Sequence, residues 1–150
     1  MSSESAPHVA SAASNSSSPE KSPIFLELAA SRREWIDSVL RPWCRTVELK
    51  DLRQAELEWL DLAGKVDPAA TLWTWAWERF PDLVHPDFPG VHETHRVEVQ
   101  LKDQRTFCGY PDSRNSRRGT LILVDRTNEG LIETGPLSID HILQVNRLPY

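Results

Sequence analysis

The stretch VEVQLKDQRTFCGY, residues 97–110, constrains the fold more than any other part of the chain. Apolar and polar residues alternate from Val97 to Leu101, which is the period of a β-strand with one buried face. Asp103 and Gln104 stand where the chain turns back. A tight hairpin prefers Asp-Gly at such a point, so Gln104 predicts a different turn. The stretch therefore predicts a strand, a short turn and a returning strand.

Three further strands are predicted after this hairpin. TLILVD, residues 120–125, is continuously apolar, which is typical of a strand covered on both faces. NEG then turns the chain, LIETG forms a fourth strand, and SIDHILQV gives a helical turn followed by a short closing strand. Five short strands within about fifty residues favour a small closed barrel, because closure removes exposed strand edges.

The hairpin sequence is similar to the first motif of Sm-like proteins, and GTLILVD resembles the strand that follows that motif. The matching positions of the first motif are Val97, Val99, Leu101, Asp103, Phe107 and Gly109. The resemblance covers residues 95–145, and other SH3-like barrels share it. It implies a five-stranded Sm-like or SH3-like barrel over residues 95–150.

The same resemblance leaves the kind of partner open. Sm-like RNA binding uses an Asp and an Asn in the loop after the second strand, and Asp112 and Asn115 lie in the loop PDSRNSRRG. It also uses an Arg-Gly pair near the last strand, whereas this chain has SIDHILQV there. The Rho-inhibitor type of Sm-like barrel, which acts through a protein partner, is an equally good comparison.

The residues before the barrel predict about three helices over 23–83, a region rich in tryptophan. A first helix can begin at Pro23, and Ser31 with Glu34 has the spacing of a stronger start, the capping box. Asp51 with Gln54 has the same spacing and predicts the start of the second helix, which Gly64 ends. Asp67 followed by Pro68 predicts the start of the third.

Composition completes the predicted organisation. Residues 1–22 are rich in Ser and Ala, have no apolar core and predict a disordered tail, and residues 84–94 predict a linker. The whole is therefore an α+β protein, with helices packed on a barrel.

Charge and cysteine content limit the partners and the compartment. A net charge of −5 disfavours a DNA-coating role, and no run is apolar enough to span a membrane. Two cysteines without metal-site spacing favour buried thiols in a reduced, cytoplasmic protein.

The candidate contact residues are basic and aromatic. Arg114, Arg117 and Arg118 lie in one loop and can hold phosphates or carboxylates through forked hydrogen bonds, with Asn115 adding further bonds. Tyr110 stands close to this loop in sequence. In LWTWAW, Trp73 and Trp77 share one helical face while Trp75 points away, so Trp75 is either covered by packing or exposed to a partner.

Metal binding and catalysis have little support in the sequence. His92 and His95 in HETH are weak metal candidates, because they lack the HExxH spacing and enter a strand where such residues diverge. No nucleophile motif or phosphate-binding loop is present, so neither a cofactor nor an enzymatic activity is expected. The predicted function is a non-enzymatic interaction protein that binds a protein partner or itself. The alternatives are a weak single-stranded RNA-binding regulator and, more remotely, an enzyme without a recognisable motif.

Overall fold

The computed structural model describes residues 23–65 and 67–149. The chain consists of two compact units, Met1–Val39 and Leu40–Tyr150. The tail predicted for residues 1–22 lies outside the described residues. Within the described residues, no helix combines the length and the apolar character that crossing a bilayer would require.

The described part of the first unit is helical. Helix α1 spans Pro23–Trp35 and is followed by a π-helical turn, Ile36–Leu40. Ser31 therefore lies inside α1, and the helix start predicted there is wrong. The reason is that no helix-breaking residue stands between Pro23 and Ser31, so the helix that begins at the proline continues through the serine.

The second unit contains four short α-helices before its strands. Pro42 lies in the first turn of the first of them, where the missing proline N–H costs no hydrogen bond. Gly64 ends the third with a φ of 68°, as the sequence predicts. The helices are α2 (Arg41–Cys44), α3 (Leu49–Leu57), α4 (Trp59–Ala63) and α5 (Leu72–Trp77).

Two helix starts differ from the predicted ones. Helix α3 begins at Leu49, because the Leu49 N–H donates to Oδ1 of the distant Asp140 (2.8 Å), and Asp51 lies in its first turn. Asp67 does accept backbone N–H groups, from Ala69 (3.0 Å) and Ala70. These bonds close a turn over residues 68–71, however, and α5 begins only at Leu72.

Helix α5 is buried on all sides. Trp73, Trp75 and Trp77 are 5%, 7% and 2% exposed, so packing covers both faces of the helix. The Trp75 ring lies edge-to-face against Trp59, with 5.7 Å between centroids, and the Arg41 guanidinium stacks over it. Of the two roles that the sequence left open for Trp75, the structure places it in the core.

The strands form one five-stranded antiparallel sheet in the order β4-β3-β2-β1-β5. This sheet is consistent with a small barrel-like fold, and with the preceding helices it gives the α+β class that the sequence predicts. A 3-10 turn, Ile139–His141, joins the last two strands. The strands are β1 (Val97–Leu101), β2 (Thr106–Pro111), β3 (Thr120–Thr127), β4 (Gly130–Ser138) and β5 (Ile142–Arg147).

One face of the sheet carries the core. Val97, Val99, Leu121 and Leu123 are fully buried. The other face of β3 is only half-buried at Ile122 and Val124, so the strand is less covered than its continuous apolar sequence predicts.

Helices and sheet of the second unit are joined at several points. One joint is the bond from Leu49 to Asp140. In another, the Arg147 N–H on β5 donates to Oδ2 of Asp82, a residue that follows α5 in the chain (2.7 Å). Gly119 lies so close to α3 that a Cβ there would stand 2.3 Å from Leu49 Cδ1. The Gly119 approach places the loop before β3 against α3, and the two hydrogen bonds join the last turn and the last strand to the helical part.

Candidate functional site

A groove of about 620 Å³ lies between α5 and the loop that precedes β3. We call it the arginine groove. Its wall is made by helix, turn and loop residues that are far apart in sequence. The lining consists of Glu56, Asp67, Pro68, Ala69, Ala70, Trp73, Trp77, Pro89, Gly90, Ser113, Arg114, Ser116, Arg117 and Arg118.

The helical side of the arginine groove is largely apolar, with the exposed carboxylate of Asp67 at its edge. Its surface is made largely by Pro68, Ala69 and Pro89, since the tryptophans behind it are almost fully buried. The Gly90 N–H donates to Oγ1 of Thr74 on α5 (2.8 Å), which fixes the segment after Pro89 to the helix. The groove is therefore largely formed before any partner arrives, which lowers the ordering cost of binding.

The opposite side is the arginine loop, residues 112–119, and local hydrogen bonds set its shape. The Asp112 carboxylate accepts from the N–H and the Nδ2 of Asn115, the latter at 2.7 Å. The Ser113 N–H donates to Glu93 Oε2 (2.7 Å), and the Ser116 Oγ accepts from the Ile122 N–H. Asn115 thus uses its side chain to hold the loop together.

Two of the three arginines of the loop keep their charge available. Arg118 is paired, because its Nε donates to Glu56 Oε1 (2.8 Å). The Nε of Arg117 donates to the Arg114 carbonyl oxygen (2.8 Å). Within residues 23–65 and 67–149, no carboxylate forms an ion pair with Arg114 or Arg117, and both residues are exposed. Their guanidiniums can bind an incoming carboxylate or phosphate.

Glu56 connects the floor of the groove with its basic side. One carboxylate oxygen accepts from Arg118, and the other accepts from the indole Nε1–H of Trp73 (3.0 Å). A ligand that draws Arg118 away changes the environment of the Trp73 indole. The sequence does not reveal this link, because Glu56 lies 62 residues from Arg118.

A second, smaller groove of about 490 Å³ adjoins the first, and Arg118 lines both. We call it the distal groove. Its lining consists of Leu49, Lys50, Arg53, Gln54, Leu57, Arg118 and Asp140. Arg53 donates to the Arg118 carbonyl oxygen (3.2 Å), so α3 and the arginine loop are in contact. The spacing of Lys50, Arg53 and Leu57 along one helical face is the sequence signal that could have revealed this surface.

The aromatic contact candidates do not join the arginines. Trp75 lines a separate groove of about 580 Å³ together with Arg41, His85 and Phe88. Tyr110 is 40% exposed on β2, opposite Val124, and lies outside the lining of the arginine groove. Neither Trp75 nor Tyr110 therefore contributes an aromatic ring to the arginine groove.

Three histidine rings form a cluster beside the groove that Trp75 and His85 line. His92 lies between His85 and His95, with centroid separations of 4.8 and 5.1 Å. Burial, together with the positive charges of His85, His95 and Arg147, holds the pKa of His92 below its usual value. In the described part of the chain, no group of three or more His, Cys, Asp or Glu side chains is arranged to hold a metal ion. His92 and His95, the weak metal candidates of the sequence, therefore do not belong to such a group.

The two cysteines are free and differ in environment. Burial raises the pKa of Cys44 to about 12, so this residue is a neutral thiol at physiological pH. Cys108 is only half-buried, contrary to the expectation of two buried thiols.

Comparison of the chain with protein-family models, with curated proteins and with solved structures found no match.

Proposed function

We propose that the chain is a non-enzymatic interaction module that binds a protein partner through the arginine groove. The observation that carries this proposal is the pair Arg114 and Arg117, two exposed arginines beside a preformed apolar wall and without a carboxylate partner among the described residues. Arginine next to an apolar surface is enriched among the residues that dominate protein interfaces. The partner is another protein or a second copy of this chain.

Single-stranded RNA is the rival partner, and the geometry of the groove favours protein. Sequence-tolerant RNA binding gains much of its affinity from bases that stack on aromatic rings. Trp73 and Trp77 are 5% and 2% exposed, and Tyr110 lies outside the groove. The proline and alanine side chains that remain suit aliphatic side chains better than bases.

The test compares three forms of the protein as bait in quantitative affinity purification. The forms are the wild type, the double variant Arg114→Gln/Arg117→Gln, and the control Lys102→Gln/Arg126→Gln, which removes the same charge from exposed residues elsewhere. We expect a protein that the wild type and the control retain and that the groove variant loses. Titration of the purified partner should show binding weakened at least about fivefold for the groove variant. A partner retained equally by all three forms would overturn the proposal.

Self-association and RNA binding are separate outcomes of the same test. Light scattering after size-exclusion chromatography shows whether the retained partner is a second copy. Fluorescence anisotropy with labelled oligouridine at two salt concentrations addresses RNA, for which contacts from Arg114 and Arg117 to two phosphates predict a log–log salt slope of about −1.4. Oligouridine binding that the groove variant loses, without any arginine-dependent protein partner, would replace the proposal with the RNA function.

A further inference from the structure

Basic groups continue from the arginine groove into the distal groove. Arg114, Arg117 and Arg118 come from the loop before β3, and Arg53 and Lys50 come from α3. We call these five residues the basic strip. Arg118 lines both grooves, and the Arg53 guanidinium bonds to the Arg118 carbonyl oxygen, so the two halves of the strip are joined. One extended ligand can therefore contact both halves.

The strip also carries acceptors between its cations. Glu56 accepts one bond at each oxygen, from Arg118 and Trp73, and remains 22% exposed. Asp140 accepts the Leu49 N–H at Oδ1, and Lys50 lies 3.8 Å from Glu48. A carboxylate offers about four lone-pair sites, so Glu56 and Asp140 can each accept a further N–H.

Acidic residues therefore lie among the cations of the basic strip, and this pattern favours a peptide over a nucleic acid as the ligand. A nucleic acid carries a negative charge at every phosphate, and Glu56 and Asp140 repel some of these charges. A peptide segment has carboxylates on separate side chains and backbone N–H donors between them. It can meet the arginines with its carboxylates and the acidic residues with its N–H groups, while an apolar side chain lies against Pro68 and Pro89.

We infer that the partner presents an extended acidic peptide segment that binds along the basic strip and occupies both grooves. This inference rests on the proposed function, since it names the chemistry of the segment that enters the arginine groove. Its distinguishing claim is that Lys50 and Arg53 on α3 take part in binding.

The probe is a synthetic peptide, acetyl-Glu-Glu-Pro-Leu-Gly-Glu-Glu-amide, and the matched control peptide has Gln at every Glu position. The full-length protein is titrated with each peptide, and binding is followed by NMR at the Trp73 indole N–H and by calorimetry. The Trp73 signal is informative because this indole shares the Glu56 carboxylate with Arg118. We expect the Glu peptide to shift that signal and the Gln peptide to leave it unchanged.

Variants separate the two halves of the strip. Lys50→Gln and Lys50→Gln/Arg53→Gln should each weaken the Glu peptide about fivefold or more, as should Arg114→Gln/Arg117→Gln, while Lys102→Gln/Arg126→Gln should bind like the wild type. Lys50→Gln is the variant that preserves the Arg53 bond to the loop, so its effect does not depend on loop stability. Labelled oligouridine of equal charge should bind more weakly than the Glu peptide.

The failures are distinguishable. If Lys50→Gln and the α3 double variant bind like the wild type while the loop variant is weakened, the segment stops at the arginine groove; the inference is then wrong and the proposed function stands. If the Glu peptide does not bind but an arginine-dependent protein partner exists, the acidic chemistry is wrong and the proposed function again stands. Tighter binding of oligouridine than of the Glu peptide overturns the inference in favour of nucleic acid.

Discussion

At the scale of single residues, Gln104 has a backbone conformation that residues with a side chain rarely adopt. Its φ is 76°, and the bonds from Gln104 N–H to Leu101 and from Leu101 N–H to Arg105 close a short hairpin loop around it. Left-handed backbone costs a non-glycine residue roughly 1–2 kcal/mol. Glycine removes that cost but adds roughly 0.5–1 kcal/mol of unfolded-state entropy.

Gln104→Gly should therefore raise the free energy of unfolding by about 0.5–1 kcal/mol. Urea denaturation of both proteins measures the change. The reverse substitution at a helix end, Gly64→Ala, is the matched comparison, because Gly64 has a φ of 68° and alanine there should lower the stability. A clear loss of stability in Gln104→Gly would show that its side chain contributes more than its backbone strain costs.

The two thiols should differ in reactivity. Cys44 is fully buried with a pKa of about 12, and Cys108 is half-buried on β2. Because the thiolate is the reactive form, a disulfide reagent at neutral pH should label at most one cysteine of the native protein, Cys108. Cys108→Ser should leave no fast-reacting thiol until denaturant is added. Rapid native labelling of Cys44 would show that the helices around it open readily.

Sequence could identify the chemistry of individual residues but not their exposure. The arginines of the loop were predicted as contact residues from charge alone, and they do line a groove. For Trp75 the sequence leaves both core and surface open, because helical spacing shows only which residues share a face. Trp59 and Arg41 cover the second face of α5. The local sequence around Trp75 cannot show this, because both residues come from other helices.

At the scale of elements, the start of α3 depends on a residue 91 positions away. The Leu49 N–H donates to Asp140 Oδ1, whereas the sequence indicates Asp51 as the capping residue. Asp140→Ala should lower the free energy of unfolding by about 1 kcal/mol, the usual cost of losing a helix cap. Asp140→Asn, which keeps an acceptor oxygen, should restore most of that loss.

Asp51→Ala is the control, measured by the same denaturation experiment. Asp51 lies in the first turn of α3 and contributes only its charge near the helix N-terminus, a few tenths of a kcal/mol. A larger loss for Asp51→Ala than for Asp140→Ala would contradict the assignment of the cap.

The strands were more predictable than the helix starts for a physical reason. Strand β1 alternates buried and half-buried residues along its length, and burial on one face imposes this period on the sequence directly. A helix start can instead be capped by any acceptor that the fold brings near, and sequence shows only the local ones. The capping box predicted at Asp51 is wrong for this reason, and the one at Ser31 is wrong because the helix from Pro23 continues through it, while Gly64, whose requirement is local, is predicted correctly.

At the scale of the whole molecule, the candidate site draws on four separate parts of the chain. Helix α3 supplies Glu56 and Arg53, the turn before α5 supplies the apolar wall, residues 89–90 close it, and the arginine loop faces it. The sequence points only to the loop, because the other residues form a site only through packing. A net charge of −5 spread over the chain also conceals the local concentration of positive charge at the basic strip.

Stability of the molecule should depend on pH through the histidine cluster. Burial and the charges of His85, His95 and Arg147 lower the pKa of His92 in the folded protein below the ordinary value of 6.5. The unfolded chain then binds a proton more readily than the folded one, so stability is full above pH 6.5 and is lost as pH falls through the folded pKa of His92. Three carboxylates lie near the cluster: Asp87, 3.9 Å from His85, Glu93, next to His92 in sequence, and Asp82, which accepts the Arg147 N–H.

The thermal midpoint should therefore fall between about pH 7.5 and pH 5, and His92→Gln should flatten this dependence. His95→Gln should flatten it in part, because it removes one of the charges that disfavour protonation of His92. His141→Gln is the comparison, since His141 is exposed in the 3-10 turn outside the cluster and its loss should leave the part of the profile that depends on His92 in place. Comparing variants with the wild type at each pH removes the shared titration of the carboxylates. NMR titration of the imidazoles measures the same effect directly, and a His92 pKa above 6.5 would reverse the predicted sign, with stability rising as the pH falls.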